Sequence, residues 1–423
     1  MAEQTRAERL RSGVTWNLVP VVLLGIVGLG LNIAIGRWWG ASALGVFNQV
    51  TTAYFVLAVF GAVGINFSVL RAIAEAPADR ARVAAIVVGA LIPTVVLGSV
   101  VTAGFVLGRH ALADLLESDP VARGILWAAP GLFCFTVNKV LFGVVNGLGR
   151  MRAFAVYTSL RYVLIAVGVI AAGVLDLAPD QLPGLWTLAE GVLLLIMIGE
   201  LIATVPLRRA AGWRGWIGEH LRFGTRGVGA TLLFEINSRL DVWLLGAAMS
   251  DHAVGIYSMA ASMAEGASQL AVVVQVNVNP TIAAELAAKR PNEVEQLVRQ
   301  ARRWFVPAMA GVCLLAAGVF PLAIPWVTSE SAFSGGALPF AILMLGLALS
   351  SPWLPFNQVL LMGAHPGWHT IYVSVSVAAN IALNLLLIPR YGLEGAAAAT
   401  AIALVLSCLW LRRISRALVQ VRL

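Results

Sequence analysis

The sequence predicts an all-α polytopic membrane protein with about 12 transmembrane helices, arranged as two six-helix bundles around a central cavity. Its composition is the first indication, because 59% of the 423 residues are hydrophobic and 12% are charged, whereas a soluble domain has about 25% charged residues. The mean hydropathy is +0.86. Twelve apolar segments and a repeat between the two halves of the chain complete the prediction.

The apolar segments are close to or longer than the roughly 20 residues that a helix needs to cross a bilayer. Short connections join them, which leaves no room for a soluble domain. The segments cover approximately residues 14–36, 43–69, 83–107, 122–147, 153–175, 184–206, 223–247, 254–280, 303–326, 337–362, 370–388 and 394–411. This order predicts an N-terminal six-helix lobe (1–206), a cytoplasmic linker (207–222) and a C-terminal six-helix lobe (223–423).

The basic residues of the loops lie mostly on one side of the predicted membrane. Alternate loops place 21 Lys and Arg residues on one side and four on the other, the four being Arg37, Arg109, Arg123 and Arg390. Basic residues concentrate in cytoplasmic loops, so both termini are predicted to be cytoplasmic, in the plasma membrane of a bacterium. The same bias accounts for the net charge of +8, and we predict no nucleic-acid partner.

A shift of 210 residues aligns the two halves of the chain. It superimposes Gly45 on Gly255 and Phe47 on Tyr257, within segments that join the first span of each half to the second. Six helices per half is an even number, so both halves have the same orientation and form a parallel repeat. Chance similarity between Ala/Gly-rich helices is the alternative. Two equivalent lobes with a cleft between them suit alternating access, in which one lobe rocks against the other.

Nine charged side chains lie inside the predicted spans. Each costs roughly 2.5–3.5 kcal/mol at the bilayer centre, and together they exceed the about 5–15 kcal/mol that stabilises a typical protein. They must therefore pair, face a water-filled cavity, or do both, as in a protein that moves a polar substrate across a membrane. The nine are Lys139, Arg161, Glu190, Glu200, Arg226, Glu235, Arg239, Asp241 and Glu265.

The seventh and eighth spans carry one predicted cluster. Glu235 and Glu265 lie near the midplane of neighbouring helices, and Arg239 is one turn from Glu235 on the same face. The opposite side of the seventh helix carries Arg226, Asn237 and Asp241. The counterparts of the charged midplane residues, 210 positions earlier, are uncharged, so the scaffold does not require these ions. Arginine suits phosphate oxygens, whereas midplane carboxylates suit a coupling proton or Na⁺.

A second predicted cluster lies in the N-terminal half. Lys139, Arg161 and Glu200 all fall about 9–12 Å from the cytoplasmic surface, at 1.5 Å per residue. We expect Arg161 to pair with Glu200, either as a structural ion pair or as part of a site, and Lys139 to face the cavity. Glu190 has no obvious partner at its depth, so we expect it to be protonated and neutral.

Several motifs of other functions are absent from the sequence. The lysines are Lys139 and Lys289, and neither follows a glycine, so no phosphate-binding loop is predicted and ATP is not an expected partner. His365 and His369 are separated by Pro366 and Gly367, which argues against a metal site. No cofactor is predicted apart from a coupling H⁺ or Na⁺.

The segment NIALNLLLIPRYGLEGAAAAT, Asn380 to Thr400, resembles the C-terminal signature of polysaccharide transporters in the multidrug/oligosaccharidyl-lipid/polysaccharide exporter superfamily. RLDVWLLGAAMSDHAVGIYSMA, from Arg239 to Ala260, is similar to the seventh–eighth helix segment of that family, and RWWGASALGVF is similar to its first–second helix junction. The resemblance implies two six-helix bundles in a V around a central cavity. It also implies a flippase that moves a polyprenyl-pyrophosphate-linked oligosaccharide to the outer leaflet, a transporter and not an enzyme.

The resemblance also suggests roles for the buried charges. Residues expected to meet the pyrophosphate or sugar are Arg239, Arg226, Lys139, Arg161 and Asn237. Residues expected to tune these cations or to bind the coupling ion are Glu235, Asp241, Glu265, Glu200 and Glu190. Besides the lipid-linked glycan and membrane lipids, a polysaccharide polymerase or glycosyltransferases are the expected partners. Two alternatives remain: a multidrug antiporter for organic cations, and a non-transporting subunit of a glycan assembly complex.

Overall fold

The computed structural model describes residues 27–328 and 331–423, which form helices joined by short turns. Residues 27–38 are helical. The helices that follow in the first half are α1 (Gly40–Ala62), α2 (Ile65–Glu75), α3 (Arg80–Leu107), α4 (Arg109–Leu115), α5 (Asp119–Gly147), α6 (Met151–Val174) and α7 (Gly184–Thr204). Those of the second half are α8 (Trp213–Gly246), α9 (Asp251–Ala287), α10 (Pro291–Val327), α11 (Ala337–Ser350), α12 (Val359–Met362) and α13 (Pro366–Leu418).

The described chain divides into two compact units. The first unit contains residues 27–35 and Val46–Glu235, and the second contains Gly36–Gly45 and Ile236–Leu423. Helix α1 therefore belongs to the second unit up to Gly45 and to the first unit beyond it. Helix α8 likewise belongs to the first unit up to Glu235 and to the second thereafter.

Each unit has its own apolar core. In the first unit, buried side chains of α2, α3, α5 and α7 pack together, with Val87 and Leu193 among those that are fully buried. In the second unit, one cluster joins α9, α10, α12 and α13. Another joins α8, α9, α11 and α13 around Tyr257.

Nine helices within the described ranges are long and apolar enough to cross a membrane, against twelve predicted spans. Three differences account for the gap. The first predicted span, 14–36, lies mainly outside the described residues, and so do the predicted cytoplasmic residues Arg6, Arg9 and Arg11. Helix α13 contains two predicted spans, and α8 is less apolar because of its charged residues.

Two predicted spans are interrupted. The span 43–69 is divided into α1 and α2 at Val63 and Gly64, which both have positive φ. The span 337–362 ends as a regular helix at Ser350, because Pro352 and Pro355 follow and cannot donate a helical hydrogen bond. Irregular backbone at membrane depth needs protein partners, and Arg302 of α10 supplies one by donating from Nε to the Pro352 carbonyl at 2.5 Å.

The two predicted first–second helix junctions are in direct contact inside the second unit. A Cβ atom at Gly45 would overlap the carbonyl oxygen of Asp251, and a Cβ atom at Gly255 would overlap that of Ala41. Positions 41 and 251 are 210 residues apart, as are positions 45 and 255. Each junction thus contacts the other through equivalent residues, as expected for elements related by an approximate two-fold axis.

Helix α13 is interrupted by a kink at Gly392, whose φ of 56° and ψ of −126° are not helical. A Cβ atom at Gly395 would overlap the carbonyl oxygen of Leu387, so the two parts of α13 lie against each other on either side of the turn. The positive φ favours glycine. The predicted boundary between the last two spans, 388–394, contains this turn.

The predicted linker 207–222 is partly helical, because α8 already begins at Trp213. His220 fixes this part of α8 to two other helices of the first unit. Its ring is buried, with Nδ1 at 2.8 Å from Ser68 Oγ and Nε2 at 3.2 Å from the Ile86 carbonyl oxygen. Burial lowers the pKa of His220. The neutral ring satisfies both contacts when Nε2 donates to Ile86 and Nδ1 accepts from Ser68.

Candidate functional site

A buried charge network in the first unit is centred on Glu190 of α7. Its side chain is fully buried and forms an ion pair with Arg161, in which Nε lies 2.6 Å from Oε1 and Nη2 donates a hydrogen bond to Oε2 at 3.2 Å. Asn138 Nδ2 donates to Oε2 at 2.8 Å and to the Glu190 backbone carbonyl at 2.9 Å. These donors stabilise an ionised carboxylate.

The cations of the network lie against aromatic rings of α5. The Arg161 guanidinium lies 5.1 Å from the ring centre of Phe135 and 5.0 Å from that of Phe142. The Lys139 ammonium lies 5.7 Å from the ring centre of Phe135. Contacts of this kind contribute about 0.5–2 kcal/mol when the cation is removed from water, so Phe135 supports both cations at once.

Lys139 also interacts electrostatically with Glu235 of α8 and with Arg161. Helices α5, α6, α7 and α8 therefore each contribute one charged residue: Lys139, Arg161, Glu190 and Glu235. The two positive and two negative charges balance. Arg161 is held by Glu190 through an ion pair that includes a hydrogen bond, whereas Lys139 interacts with Glu235 electrostatically.

The predicted pair between Arg161 and Glu200 is wrong. Glu200 instead binds Arg150, and Tyr157 donates a hydrogen bond to it. The Arg150–Glu200 pair shows that α6 and α7 are shifted along each other. Arg150 immediately precedes the first residue of α6, whereas Glu200 lies four residues before α7 ends at Thr204. Depths measured from the predicted helix ends ignored this shift of about 6 Å at 1.5 Å per residue.

The expectation that Glu190 lacks a partner is wrong for the same reason. Arg150, just before α6, and Arg161, within α6, are eleven residues apart, and their partners Glu200 and Glu190 are ten residues apart in α7. In an antiparallel helix pair, this spacing places both acids at the level of a cation. Glu190 thus has both Arg161 and Asn138 as side-chain partners.

The predicted cluster of the seventh and eighth spans is divided between the two units. Asp241, in the second unit, accepts a hydrogen bond from the buried Tyr257 hydroxyl at 2.6 Å, which connects α8 to α9. Arg226, in the first unit, and Glu265, in the second, have exposed side chains. The side chains of Asn237 and Arg239 lie outside the described part of the structure, so their substrate-binding roles remain predictions.

Sequence reasoning missed three members of these networks. Asn138 is a buried amide between Val137 and Lys139, and its signal was a polar residue in an otherwise apolar stretch. Arg150 was assigned to a cytoplasmic loop by its position before α6. Nothing in the sequence marked Tyr157 as a partner of Glu200 except its position seven residues after Arg150, two turns into α6.

The described side chains include no group of three or more His, Cys, Asp or Glu residues that could hold a metal ion. Cys134, Cys313 and Cys408 are free thiols. The arrangement on α5 to α8 is therefore best described as a set of fixed cations and anions inside a helical bundle. Such a set can bind a charged group or exchange a proton or a monovalent cation.

Comparison with solved structures identifies the fold. The chain matches the lipid II flippase MurJ in an inward closed conformation with a TM-score of 0.77 and 13% identity, over 95% of this chain and 87% of that one. It matches an inward-facing multidrug resistance MATE transporter of the MOP superfamily with a TM-score of 0.76 and 16% identity, over 96% and 99% of the two chains. A MOP superfamily transporter from Pyrococcus furiosus matches at 0.60 and 16%, over 96% and 95%.

These matches confirm the predicted fold class, an all-helical polytopic membrane protein built from two bundles. The neighbours are named as transporters and flippases, in agreement with the prediction of a transporter and not an enzyme. A search of curated proteins finds no match. Residues 10–284 match the profile of the polysaccharide biosynthesis protein family. With nearly two thirds of its length matched, the chain belongs to the polysaccharide biosynthesis protein family.

Proposed function

We propose that the chain is a flippase that moves a polyprenyl-pyrophosphate-linked oligosaccharide from the cytoplasmic to the outer leaflet by alternating access. The charged cluster of Lys139, Arg161, Glu190 and Glu235, inside a member of the polysaccharide biosynthesis family, is the observation that supports this function best. A pyrophosphate needs cations along its path, while the lipid tail can remain in the bilayer. The flippase among the structural neighbours acts on a lipid-linked substrate.

Within this proposal, Lys139 is the cation that meets the substrate. Arg161 is already bound by Glu190 and Asn138, and its role is to hold the local geometry and potential. Glu235 balances the charge of Lys139 when no substrate is bound. An incoming pyrophosphate then competes with Glu235 for the charge of Lys139, and the Glu235 carboxylate can take up H⁺ or Na⁺ in exchange.

The multidrug exporter among the neighbours has the same fold, but the charges of this chain favour an anionic cargo. Cations at Lys139 and Arg161 would repel an organic cation. Glu190 is fully buried and already paired with Arg161 and Asn138. An assembly role without transport is disfavoured by the same cluster, because a scaffold gains little from charged residues buried inside a membrane.

Replacement of Lys139 by glutamine tests the proposal. Loss of the ammonium removes the cation that would bind the pyrophosphate, and it removes the charge that faces Glu235. We therefore expect the transport rate to fall at least tenfold, equivalent to a free-energy change of roughly 1.4 kcal/mol. The measurement is accumulation of lipid-linked oligosaccharide in the cytoplasmic leaflet of cells that contain normal amounts of the variant.

Lys289→Gln is the matched control, since Lys289 is the other lysine of the chain and lies exposed after α9. It should transport normally. Wild-type surface glycan in the Lys139→Gln cells, with the variant present at normal level, would exclude Lys139 from the substrate path. Full activity after collapse of both the proton and the sodium gradients would exclude the ion coupling but not the flippase activity.

A further inference from the structure

A small cleft in the first unit lies at one end of the helices, away from the charged cluster. It has a volume of about 270 Å³ and is bordered by the α2–α3 turn, the α6 start and the α7 end. Its lining consists of Pro77, Arg80, Val83, Leu148, Arg150, Thr204, Val205 and Pro206. All the loops concerned are on the side that the distribution of Lys and Arg predicts to be cytoplasmic.

The cleft is amphipathic. Arg80, the first residue of α3, is exposed, and the side chain of Arg150 is 41% exposed although it binds Glu200. A guanidinium has five N–H donors, so Arg150 retains donors for a second anion beside Glu200. The other walls are apolar apart from Thr204. The two guanidinium groups can bind the phosphate of an anionic lipid headgroup, while the apolar lining beside them can contact the adjacent part of an acyl chain.

The size of the cleft restricts the ligand. Pockets that enclose a drug-sized molecule measure roughly 300–1,000 Å³, so this cleft accommodates a phosphate group and its immediate attachment but not an oligosaccharide. Basic pockets between transmembrane helices on the cytoplasmic side are a common form of lipid headgroup site. The cleft also lies at the ends of α3, α6 and α7, where headgroups are located.

We infer that Arg80 and Arg150 bind the phosphate of a membrane lipid in the cytoplasmic leaflet. Arg80 supplies an exposed guanidinium at the mouth of the cleft, and Arg150 divides its donors between Glu200 and the lipid. Glu200 therefore limits the affinity, because it neutralises part of the Arg150 charge. The inference does not depend on the proposed transport activity.

Native mass spectrometry of the purified full-length protein can test this site. The probes are phosphatidylglycerol, phosphatidylcholine and a polyprenyl diphosphate, each added to delipidated protein. We expect Arg80→Gln and Arg150→Gln each to weaken the binding of phosphatidylglycerol by about fivefold, the effect of one basic residue near an anionic lipid. Glu200→Gln should strengthen it, because Arg150 is then no longer neutralised.

Arg152→Gln is the matched control, because Arg152 is exposed, lies two residues from Arg150 and does not line the cleft. Arg80→Gln leaves the Arg150–Glu200 pair intact, so its effect is separable from misfolding, which thermal unfolding would reveal. A loss of polyprenyl diphosphate binding alone would identify the carrier lipid as the ligand, and a loss of phosphatidylglycerol binding would identify a phospholipid. Unchanged binding of both lipids, or an equal loss in Arg152→Gln, would overturn the inference.

Discussion

Glu190 and Arg161 show how single residues make a charge tolerable inside this bundle. The carboxylate receives two side-chain hydrogen bonds and a further ion-pair contact, and the guanidinium lies against two aromatic rings. Removal of one member of a buried ion pair commonly costs about 3–5 kcal/mol, because the other charge is left without compensation. Removal of both members is much less costly.

Glu190→Gln is therefore expected to destabilise the protein by about 3–5 kcal/mol. The amide cannot neutralise Arg161, whose side chain is 14% exposed. The loss of stability is measured by heating the detergent-solubilised protein and monitoring the folded fraction by size-exclusion chromatography. The double variant Glu190→Gln, Arg161→Gln should recover most of the stability, and a Glu190→Gln protein as stable as the wild type would contradict the ionised pair.

At the scale of elements, the two helix junctions depend on the absence of side chains. Gly45 and Gly255 allow α1 and α9 to approach each other until backbone meets backbone. The sequence predicted these glycines as equivalent positions of a repeat, but it contained no sign that they touch each other. The stagger between α6 and α7 was equally hidden, because it depends on how two helices pack and not on where each one begins.

Gly45→Ala and Gly255→Ala are each expected to destabilise the second unit by about 1–3 kcal/mol, the usual cost of overpacking. The two effects should not add, since either methyl group separates the same pair of junctions. Gly266→Ala is the control on α9, because a Cβ atom there would meet nothing within 4 Å. Strictly additive losses in unfolding experiments on the single and double variants would show that the junctions are independent.

For the molecule as a whole, the membrane class and the order of spans followed from composition and hydropathy, and the family profile and fold matches agree with them. The interrupted helices were less predictable. Pro352 and Pro355 are ordinary turn signals, yet the apolar residues around them read as one continuous span. At the division between α1 and α2, Gly64 permits a positive φ, but Val63 adopts one without any residue signal of its own.

The orientation of the whole molecule is a prediction from its basic loops. In a cysteine-free background, Glu117→Cys should react with a membrane-impermeant maleimide added to intact cells, because its loop lacks the cytoplasmic excess of arginine. Ala210→Cys, beside Arg208 and Arg209, should react only after permeabilisation. The reverse pattern of labelling would show that the loops are assigned to the wrong sides.

The reciprocal contact between positions 41 and 251 and between positions 45 and 255 has an evolutionary consequence. Two identical half-length chains could make the same contact as a homodimer, in which the glycine of each copy allows the two backbones to approach closely. Within one polypeptide, by contrast, each half can change independently of the other. The acid at Glu235, whose counterpart 210 residues earlier is Gly25, is a change that two identical subunits would have had to accept twice.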